Sequence, residues 1–280
     1  MQILFSIDFY RYLTFVGAKT AMWVNFLVKQ NYVKGNINQV LCEMDNVLFR
    51  RMTSFNNQQM LNCEFAGFLY IFYYLFLRLE QLKINTNNRF LMEELTIKAF
   101  NDVYSSINSS FFDEPVLFNL DYKLPPFLFI LSKIFYNYRI DEVIKEIAGI
   151  IQSRFPALHA NRLYLLWGLV RLKQVTGFKF WDEQINIIYN NIDISRIIEN
   201  ELRNKQVFIK DGVAGIYLLL KDLENTEYKL FYNPKILIRR IYSSDIWNEI
   251  AKQPLTFVDG LSGLLWIIYQ IKKNYFFYEN

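Results

Sequence analysis

The residues with the most chemical content lie in a short repeat near the C-terminus. Asp211-Gly212-Val213-Ala214-Gly215-Ile216-Tyr217-Leu218 recurs as Asp259-Gly260-Leu261-Ser262-Gly263-Leu264-Leu265-Trp266, 48 residues on (260 − 212), a period suited to stacked helical pairs. Each copy puts a carboxylate and two glycines at the start of an apolar run. An aspartate there is a natural N-cap, accepting first-turn N–H groups and complementing the helix dipole. Gly212, Gly215, Gly260 and Gly263 let a helix start approach its neighbours closely, and the glycine before each helix permits unusual dihedrals. Parallel helices would gather these starts at one end, with Asp211 and Asp259 flanking an opening and Lys210 beside them. A carboxylate pair at such a mouth suits acid–base hydrolysis of sugars. Two plain N-caps are the other reading, and the sequence leaves both open.

His159 is the only histidine of the chain. It reads first as a partly buried polar residue, and second as a ligand or general base at the same mouth. His159, Asp211 and Cys63 show no metal-ligand spacing. There is no G-x-S-x-G, no P-loop, no dinucleotide fingerprint and no H-E-x-x-H. Neither a metal nor a cofactor is expected. Cys42 and Cys63, in apolar segments without C-x-x-C pairing, are expected to be buried thiols of a reducing compartment.

The elements that must position these residues read as helices of two kinds. Amphipathic stripes run through Ile37, Val40, Leu41, Met44, Val47 and Leu48, and through Ile140, Val143, Ile144, Ile147, Ile150 and Ile151. Others follow Ile185, Ile188, Tyr189 and Ile192, then Ile194, Ile197, Ile198 and Leu202. Residues 65–79, 127–138, 163–172, 213–220 and 261–271 are apolar nearly all round, which demands enclosure. After residue 120 the kinds alternate: inner 127–138, outer 140–151, inner 163–172, outer 181–204, inner 213–223, outer 235–252, inner 261–273. This alternation predicts an all-α, double-layered α/α barrel or toroid of helical hairpins, with an open helical solenoid as the related alternative. No Ser/Pro/Gly-rich linker appears, so one domain over 1–280 is expected.

Composition agrees with this reading. The chain is 52% hydrophobic, 18% aromatic and 21% charged, which excludes disorder. Its 10 Gly and 6 Pro are too few for an all-β protein of many tight turns. A net charge of +4 without a clustered basic patch argues against nucleic-acid binding. The most apolar stretch, residues 65–77, falls short of the roughly 20 residues that span a bilayer, and the N-terminus lacks a basic leader. A cytoplasmic protein without a transmembrane segment is expected.

On the two G-x-x-G helix starts, and on Phe257-Val258-Asp259-Gly260-Leu261-Ser262-Gly263-Leu264-Leu265 above all, the chain resembles the lanthionine synthetase C-like family. Fainter copies of the repeat stand at Cys63-Glu64-Phe65-Ala66-Gly67 and at His159-Ala160-Asn161-Arg162. The resemblance implies an α/α toroid, and the length of this chain implies fewer hairpins than the family's seven. It also implies a position for a catalytic zinc, held in the family by two cysteines and a histidine. The Cys-His-Gly run of the family corresponds here to Lys210-Asp211-Gly212, and its Trp-Cys-Tyr-Gly run to Ala157-Leu158-His159-Ala160. None of the three ligands is present, and a lysine ammonium repels a metal ion. The expected function is therefore non-catalytic binding of a peptide, or of a partner enzyme, in peptide modification. A carboxylate-dependent α/α-barrel glycosidase or lyase-like enzyme, and a helical-repeat adaptor, are the alternatives.

Overall fold

The computed structural model describes residues 24–275 apart from 26, 29–31, 33, 55–64, 85, 106, 108–110 and 139–140. Among the described residues the chain is all-helical, without a strand. It divides into two compact units, Met1–Ser110 and Phe111–Asn280.

The first unit contains α1 (Ile37–Ser54), α2 (Phe65–Gln81) and α3 (Asn87–Tyr104). On α1, Leu41, Asp45, Leu48 and Met52 share one buried stripe, the 3–4-residue spacing of a single helix face. Val47, expected in that stripe, is 42% exposed, because it lies one position off the face that meets the core. Cys42 is likewise an exposed free thiol rather than the buried one expected, since it follows the buried Leu41 on the outward side of α1. Cys63 and Gly67, with the faint repeat that holds them, fall outside what can be described in side-chain detail. On α3, Met92, Leu95, Ala99 and Val103 form the inward face, and Thr86 caps the helix by accepting from the Arg89 N–H.

The core of this unit contains an ion pair. Arg78 is 1% exposed, and its guanidinium binds Asp45 through Nε (3.0 Å to Oδ1) and a terminal nitrogen (2.6 Å to Oδ2). The other terminal nitrogen donates to Asn38 and Gln81, and the Tyr74 hydroxyl donates to Asp45 at 2.6 Å. Burial and the adjacent carboxylate raise the Tyr74 phenol far above its ordinary value. A buried charge persists only when paired and fully hydrogen-bonded, as this one is.

The second unit contains α4 (Leu124–Tyr138), α5 (Asp141–Gln152), α6 (His159–Thr176), α7 (Trp181–Asn190), α8 (Ile194–Arg196), α9 (Val213–Leu223), α10 (Pro234–Tyr242) and α11 (Leu261–Tyr275). Helices α4, α6, α9 and α11 contact one another in series. Helices α6 and α9, and α9 and α11, run parallel, because partner numbers rise together along each of these pairs. Tyr122 meets Tyr164 and Phe129 stacks on Trp167. Glu201 meets Ala160, Trp167 and Arg171 bind Asp222, and Lys173 reaches Glu227. Ile209 lies against Gly263, and Glu224 takes the Tyr275 hydroxyl. Gly168 permits the closest approach of α4 and α6, since a Cβ there would stand 2.7 Å from the Pro125 carbonyl oxygen.

The flanking helices bury one face each: Ile144, Ile147, Ala148 and Ile151 on α5, Trp181, Ile185 and Ile188 on α7, Leu237 and Ile241 on α10. The alternation of kinds read from the sequence is thus present, with three differences. The expected helix 181–204 breaks at Asn191, and Asp193 restarts it by accepting from the Arg196 N–H. α8 then widens into a π-helical turn over Ile197–Glu201. The expected helix 235–252 breaks after Tyr242, where Ser244 caps a 3₁₀ segment over Asp245–Lys252. In both cases a short polar side chain competes for the backbone and wins. A third difference concerns α11, whose residues Leu265 and Tyr269 are each 55% exposed, although an enclosed helix is expected there.

Candidate functional site: the gathered helix starts

The starts of α6, α9 and α11 come together with the loop ahead of α4 at one end of the second unit. The two glycine repeats are built on the same plan there at the 48-residue offset. The loop ahead of each helix folds back, so that the Val213 N–H donates to Gln206 O (3.2 Å) and the Leu261 N–H to Pro254 O (2.9 Å). A Cβ on Gly212 would enter Gln206 O, and one on Gly260 would enter Pro254 O, well inside the 3.0 Å that real Cβ atoms respect. Gly215 and Gly263 are pressed in the same way by Ile209 O and Phe257 O. The glycines are there for room. Gly212 has φ −144°, extended backbone open to any residue, so the unusual dihedrals expected before the helix are not adopted.

This construction also corrects the capping role expected of Asp211. The N-cap of α9 is Gly212, with no side-chain capping bond. The first-turn N–H groups of Val213 and Ala214 are already taken by the carbonyls of Gln206 and Val207. Asp259 in the equivalent place accepts from the Thr256 hydroxyl, while the Leu261 N–H is met by Pro254 O.

The three loops are joined by main-chain bonds: Leu120 N–H to Lys210 O (2.7 Å) and Lys210 N–H to Val258 O (2.8 Å). Lys210 therefore sits at the middle of the cluster, its ammonium 2.7 Å from Asp121. One carboxylate oxygen of Asp211 is buried without a hydrogen-bond partner. Burial raises the Asp211 carboxyl above its ordinary range. Lys210 opposes this, and the charges of Asp259 and Asp121 reinforce it. Lys210, Asp211 and Asp259 are thus brought together, with Asp121 as a fourth member.

His159 is held apart from that group, half-buried, with Nδ1 accepting from the Asp193 N–H at 3.1 Å. It opens α6, whose N-cap is Leu158, and this start is built differently. Two carboxylates close it. Glu114 accepts from the N–H groups of Ala157 (2.8 Å) and Leu158 (3.2 Å), and Glu201 from those of His159 (2.8 Å) and Ala160 (2.9 Å). The fully buried Asn161 donates to Glu114 and to Pro115 O. Ionised acceptors on first-turn N–H groups are the strong form of the helix cap. Glu114, Glu201 and Asp121 were not marked by local pattern, since each acts on an element distant in the chain. Only the π-helical turn that aims Glu201 is a structural signal of its role.

Zinc does not fit this arrangement. Among the described residues no three His, Cys, Asp or Glu side chains converge on a point that could hold a metal ion. At the positions the family resemblance assigns, a lysine is spent on Asp121 and a leucine faces Glu114 through its N–H. A separate concavity of about 270 Å³, lined by Ile194, Ile198, Phe231, Tyr232, Asn233 and Ile236, has no charged group among those residues. No helix among the described residues is long and apolar enough to cross a membrane.

Among the described residues these features define an all-helical protein with a row of helices and a polar cluster at the helix starts. No family model, curated protein or solved structure matches the chain.

Proposed function

We propose that the chain is a non-catalytic relative of the lanthionine synthetase C-like proteins, an α/α toroid plan used in the cytoplasm to bind a peptide, or the enzyme that carries it, in peptide modification. The observation that supports this reading is the contrast at the helix starts. The fold-back loops over G-x-x-G are intact at both repeats, whereas the ligand positions carry a Lys210–Asp121 ion pair and a carboxylate-closed α6. The polar groups of the mouth, of which Asp121 and Asp259 are exposed, set the chemistry of the ligand. Three carboxylates, Asp121, Asp211 and Asp259, stand with one ammonium, Lys210, so a peptide segment bearing arginine, lysine or a free amino terminus is the complementary partner.

Metal analysis and peptide titration test the reading together. The purified full chain is expected to hold far less than one zinc per molecule, and to bind a fluorescent Arg/Lys-rich 12-mer in preference to its Glu-rich counterpart. Asp259→Asn weakens that binding. Tightly held stoichiometric zinc, or equal affinity for the two peptides, overturns it. A second reading draws on the raised Asp211 carboxyl beside Asp259, a poised pair for carboxylate chemistry on sugars. Glycoside turnover abolished by Asp211→Asn would favour it over the first.

A further inference from the structure

Helix α11 is the last of the row α6, α9 and α11 within the second unit, and the repeat supplies a comparison for its exposed side. Forty-eight residues earlier, Ala214 and Tyr217 of α9 are buried to 0% and 1% exposure. The α9 side that carries Tyr217, Lys221 and Glu224 is covered by α11 itself: Asn274 donates to the Tyr217 hydroxyl, the Lys221 ammonium lies over the Tyr275 ring, and the Tyr275 hydroxyl donates to Glu224. The counterparts on α11 are Ser262, Leu265, Tyr269 and Lys272, and all four are exposed. Leu255, whose carbonyl accepts from the Ser262 hydroxyl, extends the strip at 77% exposure. The face that the repeat covers with a helix is therefore exposed here among the described residues, apart from the Lys272 ammonium lying over the Tyr242 ring, and it is more apolar than its α9 counterpart.

We propose that this face is closed by a second copy of the chain, two α11 helices pairing antiparallel across a two-fold axis. Charge decides the partner. Antiparallel pairing centred between Leu265 and Tyr269 sets Leu265 of one copy against Tyr269 of the other, and Ser262 against Lys272. Lys273, and Lys272 whose ammonium also lies over the Tyr242 ring at 5.3 Å, both exposed at the C-terminal end of α11, then lie along the first turn of the second copy, beside its exposed Asp259. Cations meet a carboxylate, and the negative C-terminal pole of each helix lies beside the positive N-terminal pole of the other, the antiparallel sense that dipoles favour. The patch is isologous, each residue meeting its symmetry partner, which closes the assembly at two copies. A helix of 15 residues offers a seam about 22 Å long, enough for a dimer of modest affinity and not for an obligate one.

Sedimentation velocity of the full chain across about 5–200 µM tests the pairing. A shift from one to two copies is expected within that range, weakened by added salt. Leu265→Glu and Tyr269→Glu, at exposed positions, are each expected to keep the chain monomeric throughout while leaving its helical signal and melting temperature unchanged. Asp259→Lys weakens dimerisation at least tenfold, and combining it with Lys272→Glu and Lys273→Glu restores it. A wild-type chain that stays monomeric overturns the proposal, as does a dimer indifferent to Leu265→Glu. Failure of the triple charge exchange to restore what Asp259→Lys removes overturns the antiparallel arrangement. Leu265→Glu and Tyr269→Glu lie outside the mouth, so they separate dimerisation from peptide binding, whereas Asp259 variants bear on both.

Discussion

Alanine at Gly263 is the sharpest perturbation of this fold, and Gly149 supplies its internal control. An exchange of Gly for Ala inside a helix ordinarily stabilises by about 1 kcal/mol. Gly149 on α5 has nothing within 4 Å of a built Cβ, so Gly149→Ala should gain about that amount. At Gly263 the same methyl would enter Phe257 O and stand 2.8 Å from the Phe257 carbonyl carbon and 2.9 Å from Ile209 Cδ1, where ordinary contact begins at 3.4 Å. The loop must retreat, and it is fixed by Leu261 N–H to Pro254 O at 2.9 Å, Lys210 N–H to Val258 O at 2.8 Å and the Ser262 hydroxyl to Leu255 O at 2.6 Å. Losing three such bonds costs about 3 kcal/mol at roughly 1 kcal/mol each. Against the helix gain, Gly263→Ala is left about 2 kcal/mol less stable. Both residues lie in the second unit, so one thermal transition reports both. Gly149→Ala should raise its midpoint by roughly 2–4 °C and Gly263→Ala lower it by roughly 4–8 °C. A Gly263→Ala variant as stable as Gly149→Ala would refute the claim that these glycines exist to admit a carbonyl.

Two further predictions concern buried charge. Arg78→Met leaves Asp45 without its ion-pair partner in the core of the first unit and should cost about 3–5 kcal/mol, whereas Arg78→Met with Asp45→Leu should recover most of the loss; urea midpoints of the two variants decide it, and a single variant costing under about 1 kcal/mol contradicts it. The Asp211 carboxyl is raised above its ordinary value of 3.8 by burial first, with Asp259 and Asp121 adding to it and Lys210 opposing. The folded chain thus holds that proton more tightly than the unfolded chain, and the associated stability is complete below about pH 3.8 and lost as pH rises through the folded value. Asp211→Asn should therefore melt higher than the parent at neutral pH and approach it in acid; a variant less stable than the parent at pH 7 would count against the assignment.

The second unit was legible where period and glycine placement acted locally. The reading of 213–223 as an inner helix coincides with α9, because an apolar run bounded by glycine and by polar residues leaves few alternatives. The breaks at 191–193 and 243–244 were readable in principle, since Asp193 and Ser244 are ordinary N-caps, but continuous apolar stripes across them suggested unbroken helices. The exposed side of α11 was not legible, since composition cannot tell a helix inside a row from one at its end. Asp45 and Arg78 escaped for a different reason. Each looks like a polar interruption of its own helix, and only the approach of α1 to α2 makes them partners.

The same limit explains the candidate site. Leu158 and Asn161 hold the N-cap and third helical positions of α6, which Gly212 and Gly215 hold in α9. Side chains there leave no room for a loop carbonyl to fold onto the helix start, so the first N–H groups of α6 must find acceptors elsewhere. Two carboxylates supply them, one from the loop ahead of α4 and one from the π-helical turn ahead of α9. Asn161 fills the space a carbonyl takes elsewhere and bonds to Glu114 in its stead. The departure from G-x-x-G at one repeat and the two acidic residues at distant positions are therefore one structural solution. It occupies the very N–H groups that a ligand at this helix start would need, which places the remaining open chemistry of the mouth on Asp211 and Asp259.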